Sequence, residues 1–441
     1  MTDSVLWFRR DLRLGDHPAL AATAGDGSVL PLFVLDPTLL ASAGEVRRKR
    51  LLASLRALHV ATDGALVVRT GDPAEVVPAV AREVAGHAAH VTGEPFPYGR
   101  RRDERVRNAL HHNDIDLFVT GTPYAVGPGR VLKPDGAPYR VFTPFARAWH
   151  DHGWRRPADP PKQLRWVRGI ESEALPTADD DPRAGEQAAL DRWAEFRDDD
   201  LARYGAERDR PDRSSTSRMS EHLKYGEIHP RTLLADLSGR RGESVQRYVT
   251  ELCWREFYAD VLWHNPDSAW HDLNELRMGY HDPADTFDRW QRGRTGFPMV
   301  DAGMRQLAVE NWMPNRLRMI TASFLVKHLH VWWAHGARHF LTLLRDGDLA
   351  SNNHGWQWVA GTGTDAAPYF RIFNPVSQGL KFDPDGDYVR RWIPELAHLP
   401  GRAAHEPWKH SEGYAHGYPD RIIDLAAERA EALGRYAAAR G

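Results

Sequence analysis

Four stretches of this 441-residue chain hold side chains that could act together on a ligand. The richest is residues 346–375, DGDLASNNHGWQWVAGTGTDAAPYFRIFNP, which mixes carboxylate, amide and indole groups. Wound as a helix over residues 348–360, at about 100° per residue, it puts Asp348, Ser351 and Asn352 on one face. Trp356 continues that face one turn later, and Trp358 points to roughly the opposite side. Gly361 and Gly363 break the helix, and a loop runs on to Pro375. Such a helix can show a polar and aromatic surface to one ligand and a second indole to another. It can equally be a core helix whose indoles fill space.

The second stretch is residues 251–258, ELCWREFY, where Glu251, Trp254 and Arg255 stand at i, i+3 and i+4 of a predicted helix. A carboxylate beside an indole and a guanidinium can hydrogen-bond to a nucleobase and stack on it. The alternative is a plain Glu–Arg pair along the helix. In the third, residues 312–319, WMPNRLRM, Pro314 suits a first helical turn, where its missing N–H costs nothing. Asn315, Arg318 and Met319 then share a face. The apolar run ITASFLVKHLHVWW that follows predicts burial, so Arg318 requires a carboxylate, with Asp346 and Asp348 the candidates. The fourth is Tyr204 with residues 214–220, SSTSRMS. Hydroxyls around an arginine ahead of a helix suit an N-cap, and they also suit a phosphate.

These groups need a scaffold, and the first 120 residues supply one kind. Short apolar, β-branched runs at 5–8, 29–35, 65–69, 88–92 and 115–119 alternate with helical patterns at about 18–24, 46–60, 73–85 and 100–112. That alternation predicts an α/β domain built on a five-stranded, parallel, doubly wound sheet over residues 1–130. No G-x-G-x-x-G follows the first strand and no GxxxxGK[ST] occurs, which argues against ordinary dinucleotide or triphosphate binding there. Residues 131–185 turn Pro- and Gly-rich and include the acidic run TADDDPR; they read as an interdomain linker. From 186 to 441 the pattern is helical, with signals near 186–203, 218–224, 229–238, 243–264, 298–309, 313–334, 336–345, 348–360 and 420–440, giving an all-α domain.

Composition narrows the setting. One cysteine, Cys253, excludes a disulfide framework and a multi-cysteine metal site, and no metal site is expected. The early charges of MTDSVLWFRRDLRL argue against a signal peptide, and no run approaches the length of a membrane span, so a cytoplasmic protein is expected. The net charge of −2 sets up no global basic field, although phosphate binding needs only a basic patch. Several of the 16 tryptophans fall in the second half, beside Asn, Arg and His, which places an aromatic ligand site there.

At these residues the chain resembles the photolyase/cryptochrome family, and most of all its class I cyclobutane pyrimidine dimer photolyases. LWFRRDLRLGDHPAL, WREFY, GRTGFPMVDAGMRQL, NRLRMITASFLVKHL, DGDLASNN, GWQW, GTDAAPYFRIFNP and RRWIPEL follow one another in the family's order. The resemblance implies an antenna domain followed by a helical domain that holds FAD. Tyr204 and Thr216, Ser217, Arg218, Met219 and Ser220 match the FAD-phosphate segment. Arg318, Asp346, Gly347 and Asp348 match groups around the flavin ring. Asn352 matches the residue facing flavin N5, where an amide hydrogen-bonds a reduced, anionic ring without the repulsion of a carboxylate. Glu251, Trp254, Asn315, Met319 and Trp358 match the lesion pocket, and Arg255 and Tyr258 on the helix of Glu251 and Trp254 are expected to bind substrate with them. Arg208, Arg316 and Gln378 match the DNA-contacting rim.

Trp356 and Trp333 match the first two members of the family's photoreduction chain. The third tryptophan is absent, because Met278-Gly279-Tyr280 stands there, so Tyr280 or Trp290 is expected to be the terminal donor. Pro314 stands where the family has His. Residues 94–103, EPFPYGRRRD, lack the Asn-Glu pair of folate-binding members, which points to 8-hydroxy-5-deazaflavin as the antenna, with an empty or flavin-filled site as alternatives. The expected activity is light-driven repair of pyrimidine dimers in damaged DNA by a monomer without membrane contact. A cryptochrome-like light sensor without repair is the alternative. Repair of six-four photoproducts fits less well, since Pro314 and Asn315 replace a histidine pair. A non-catalytic nucleotide-binding α/β protein is the remaining rival.

Overall fold

The computed structural model describes residues 3–177, 181–364 and 371–439. Part of the acidic run TADDDPR and part of the motif GTDAAPYFRIFNP lie outside these residues, so the loop expected between Gly363 and Pro375 is only partly described. The chain divides into two compact units. The first comprises Met1–Ala202 and Ser217–Pro266, the second Arg203–Thr216 and Asp267–Gly441.

The first unit contains the expected sheet: β1 (Ser4–Phe8), β2 (Val29–Leu35), β3 (Val67–Thr70), β4 (Ala88–Val91) and β5 (Asp116–Val119). All pairs are parallel and the order is β3-β2-β1-β4-β5. β1, β2 and β4 are buried throughout, which is why they read as unbroken apolar runs. Val5 and Trp7 of β1 join a core with Val77, Val80, Val106 and Leu110, and Leu6 and Phe8 join one with Leu20, Leu55 and Leu58. Successive side chains thus serve helices on opposite faces of the sheet. β5 is an edge strand and leaves Phe118 and Val119 exposed.

The linker differs from expectation. Residues 131–185 carry a helix, Phe142–His152, that buries Phe142, Phe145 and Trp149. Further on, Val167 N donates to Val29 O at 2.9 Å, so the segment runs beside the sheet. The helices Glu186–Glu195, Met219–Tyr225, Pro230–Leu237 and Glu243–His264 belong to this first unit rather than to a helical domain beginning at 186.

The second unit is helical. Its core includes Trp290, Phe324, Trp333, Phe340 and Trp356. The helices expected over 313–334 and 336–345 are Asn315–Lys327 and Trp333–Leu343, so the first stops short of its expected end and the second starts earlier. Between them His330 adopts a left-handed backbone (φ +53°), and its carbonyl accepts from His281 N at 2.7 Å. That break sets Trp332 and Trp333 side by side at a helix start. Pro314 caps the first of these helices rather than occupying its first turn, and its carbonyl accepts from Leu317 N and Arg318 N.

Candidate functional site

In the second unit the Arg318 guanidinium donates to Asp346 Oδ2 at 2.8 Å and to the Met313 carbonyl at 2.8 Å. Asp346 is thus the expected partner, although Arg318 itself is only partly buried, with its side chain 24 % exposed. The Asp346 side chain is only 2 % exposed, yet no described residue donates to its Oδ1. A buried acceptor left unpaired costs about 1–3 kcal/mol, so this oxygen marks a place for a ligand's donor. Gly347 follows in a turn, its N–H directed to Leu344 O at 3.3 Å, and can offer only backbone. Asp348 is not the first helical residue but the N-cap, accepting from Ser351 N at 3.0 Å, and the helix runs Leu349–Ala360. Half-buried Asn352 donates its amide N–H groups to Ala337 O at 3.2 Å and Asn353 Oδ1 at 2.8 Å. Its amide oxygen is thereby left as the atom available to a ligand donor.

The two indoles of this helix diverge as its geometry predicts. Trp356 is buried, 4.9 Å from the Phe340 ring and 6.1 Å from Trp290. Its ring occupies the space over Gly336 that any Cβ there would fill. Trp358 is half-buried, with the Arg371 guanidinium 5.9 Å from its ring. Trp333 donates its indole N–H to Asp272 Oδ1 at 2.6 Å, and Trp332 donates to the same oxygen at 3.1 Å. Trp290 is fully buried and donates to the Thr321 carbonyl at 3.1 Å. The Tyr280 hydroxyl is buried and has no hydrogen-bond partner among the described residues. Burial first, and the charge of Asp272 second, push its pKa upward.

Of this unit's other expected residues, Tyr204 is buried, Asn315 is exposed, and Arg208, Thr216, Arg316, Met319 and Gln378 are partly exposed. Arg316 donates to Asp209 Oδ2 at 2.7 Å and lies 4.6 Å from the Phe382 ring, and Arg208 lies 5.5 Å from the Tyr204 ring. Asn315 Nδ2 contacts Met319 Sδ at 3.8 Å. Gln378 has a buried Oε1 without a partner among the described residues. Thr216 is half-buried.

In the first unit, Glu251, Trp254, Arg255 and Tyr258 form the half-buried stripe of the 243–264 helix. Trp254 stacks on Phe142 with ring centroids 3.6 Å apart and planes 6° apart, so one indole face is already covered. Arg255 is a correction. Its guanidinium donates to the Pro123 and Leu223 carbonyls at 3.1 and 3.2 Å and lies 4.3 Å from the Tyr124 ring, so it braces the fold and is not free for a substrate. Met219 is another, because its side chain is core and only its backbone can meet a cofactor. Ser217 Oγ accepts from Met219 N at 3.2 Å and from the Tyr248 hydroxyl at 3.0 Å. Arg218, a non-glycine residue at φ +56°, holds the turn that leads to exposed Ser220.

The antenna segment is tied down internally. Arg102 and Arg9 lie 4.8 and 4.6 Å from the Trp7 ring, Arg9 pairs with Asp103 at 2.8 Å, and the Tyr98 hydroxyl donates to Asp36 at 2.6 Å.

Comparison with known proteins matches this layout. Residues 4–163 match the DNA photolyase profile, and residues 248–438 match the FAD binding domain of DNA photolyase. A relative from Streptomyces griseus named deoxyribodipyrimidine photo-lyase is 40% identical, covering 100% of both chains. The chain belongs to the DNA photolyase family. A structure described as a bacterial class III photolyase from Agrobacterium tumefaciens superposes with TM-score 0.92 at 36% identity, over 100% of this chain and 98% of that one. A cryptochrome from Synechocystis sp. PCC6803 superposes with TM-score 0.90 at 26% identity, over 98% and 99%. The comparisons carry the photolyase family and fold, not the class I label.

Within this photolyase fold, sequence reasoning passed over Asp272, Trp332, Gly336 and Phe142. Trp332 was visible as the neighbour of Trp333 in VWW. Asp272 had no local signal, since it reaches two indoles 60 residues away from a loop.

Proposed function

We propose that this photolyase-family protein repairs cyclobutane pyrimidine dimers in DNA under light, with reduced FAD as electron source. The observation that carries the flavin assignment is Asp346 Oδ1, a buried acceptor without a donor, opposite the Arg318–Asp346 pair and on the same segment as the Asn352 amide. These groups fit a ring that presents N–H donors. Arg318, Asp346, Asp348 and Asn352 would hold the ring side of FAD. Tyr204, Thr216, Ser217, Arg218 and Ser220, with the backbones of Gly347 and Met219, would serve the remainder and its phosphates. Bound there, reduced FAD would supply the redox chemistry, electron donation to the dimer on excitation.

The chain's own contribution is position and charge. Arg208, Arg316 and Gln378 contact the DNA backbone, with salt-dependent affinity. The dimer leaves the duplex at reduced cost because it is already poorly stacked and paired. Glu251 accepts a hydrogen bond from the base edge, and Trp254, backed by Phe142, offers its open face for stacking. Trp358, Met319 and Asn315 are likewise assigned to the base, and Tyr258 to the same stripe as Trp254. Trp356 and Trp333 pass electrons inward during photoreduction. The antenna is assigned to 8-hydroxy-5-deazaflavin, on the missing Asn-Glu pair in residues 94–103. A monomer working in the cytoplasm is assigned on composition; no helix among the described residues is long and apolar enough to cross a membrane.

The spectrum of the purified protein, with its released chromophores identified, tests the cofactor assignment. Stoichiometric FAD is expected, and protein without flavin would overturn it. Glu251→Ala and Trp254→Ala should weaken repair while FAD stays bound, and flavin loss in either would move that residue to the cofactor.

A further inference from the structure

The family pattern leaves this chain without a tryptophan at the surface end of its indole chain, and Tyr280 and Trp290 are the substitutes that sequence position suggests. Neither is built for the task. Oxidation of a phenol releases its hydroxyl proton, and the buried Tyr280 hydroxyl has no acceptor among the described residues. Trp290 is fully buried, and its N–H faces a backbone carbonyl, which cannot take a proton.

Trp332 has what both lack. Its ring centroid is 5.8 Å from that of Trp333 in an edge-to-face arrangement, and it is half-exposed where Trp333 is fully buried. Its indole N–H donates to Asp272 Oδ1, the same oxygen that accepts from Trp333. A carboxylate so placed stabilises positive charge on either ring. Exposure to water favours the charge on Trp332. Trp356 packs over Gly336, one turn along the helix that Trp333 begins, so the chain of indoles continues inward from there.

We propose that Trp332 is the surface end of this photolyase's electron path and that Asp272 accepts its indole proton. Trp332 gives one electron to oxidised Trp333, which returns to its neutral form. The N–H proton of oxidised Trp332 passes to the Asp272 carboxylate, leaving a neutral indolyl radical. A solvent thiol then restores Trp332 with one electron and one proton. The primary oxidant is the photoexcited flavin assigned above, so the inference rests on that reading.

Transient absorption and electron paramagnetic resonance after a flash, on protein carrying oxidised flavin, test it. Wild type should give a long-lived neutral tryptophanyl radical. Trp332→Phe should lose that radical with flavin content and Tm retained, and Trp332→Tyr serves the same purpose should the phenylalanine variant not fold. Tyr280→Phe and Trp290→Phe should keep it. Asp272→Asn should leave a shorter-lived, still protonated radical. A wild-type radical in Trp332→Phe, or its loss in Tyr280→Phe, would overturn the inference while leaving the flavin reading intact. Absence of bound flavin would instead overturn the flavin reading, and this inference with it.

Discussion

Glu227 in the first unit and Asp346 in the second are both buried carboxylates facing an arginine, and they differ in what is left over. Glu227 accepts from two Arg50 nitrogens at 2.7 and 2.8 Å and from Gly185 N at 2.7 Å, with His222 Nδ1 at 2.6 Å. Burial pushes its pKa up, but Arg50 and His222 together hold it down at about 2. Asp346 has Arg318 on one oxygen and nothing among the described residues on the other. A saturated carboxylate has nothing left to offer a ligand, whereas one with spare capacity can accept a ligand's donor. A related contrast separates Arg255, held by two main-chain carbonyls and a tyrosine ring, from Arg316, which pairs with an aspartate side chain and lies over the Phe382 ring.

The comparison can be broken at Glu227 first. Glu227→Gln strips buried Arg50 of its hydrogen-bonded carboxylate, leaving Glu221 at 4.0 Å as a more distant countercharge, and should cost about 3 kcal/mol in denaturant unfolding, with flavin bound normally by the folded fraction. A loss below about 1 kcal/mol would put Glu227 in the same class as Asp346. Its pH signature has a definite sign. Because the folded pKa lies below the ordinary 4.5, the stabilisation is complete above pH 4.5 and disappears as the pH falls toward 2.

Imidazoles extend the contrast. His222 is paired with Glu227, while burial holds His354, on the 349–360 helix, at about 4. The unfolded chain takes up its proton near 6.5, so stability present above that value is lost as the pH falls from 6.5 toward 4. His354→Gln should remove up to about 3 kcal/mol of that acid sensitivity, read as a flatter Tm against pH over this window. An unchanged slope would show that His354 is not buried neutral.

Asp346→Asn sharpens the comparison from the other side. It keeps the shape but loses the charge, so flavin affinity should fall by about 1.5–3 kcal/mol, roughly ten- to a hundredfold, by fluorescence titration. The stability of the flavin-free protein should move far less than in Glu227→Gln; equal losses would erase the distinction. Gly336→Ala should cost about 1–3 kcal/mol by overpacking Trp356 and Leu325, with photoreduction slowed through displacement of Trp356.

The sheet was legible because β1 and β2 are buried on both faces and announce themselves as apolar runs. The Arg318–Asp346 pair was legible because the apolar run after Arg318 called for a carboxylate partner, although the guanidinium itself is only partly buried and the carboxylate is the buried member. The fate of Arg255 was not, since its partners are main-chain carbonyls at residues 123 and 223, and backbone acceptors leave no trace in residue identity. The helix break at His330 was hidden for a related reason. A left-handed histidine stabilised by a distant contact with residue 281 looks, in sequence, like continued helix. The linker helix was masked by the Pro and Gly on either side of Phe142–His152.

The central claim is that this chain turns light into repair of pyrimidine dimers. Its most direct test is purified, photoreduced protein incubated with ultraviolet-irradiated DNA, with dimers counted after illumination and after an equal time in the dark. The account predicts dimer loss in the light sample alone, and less of it with Glu251→Ala. Equal dimer content in light and dark, with reduced FAD bound, would contradict it and leave a light sensor in its place.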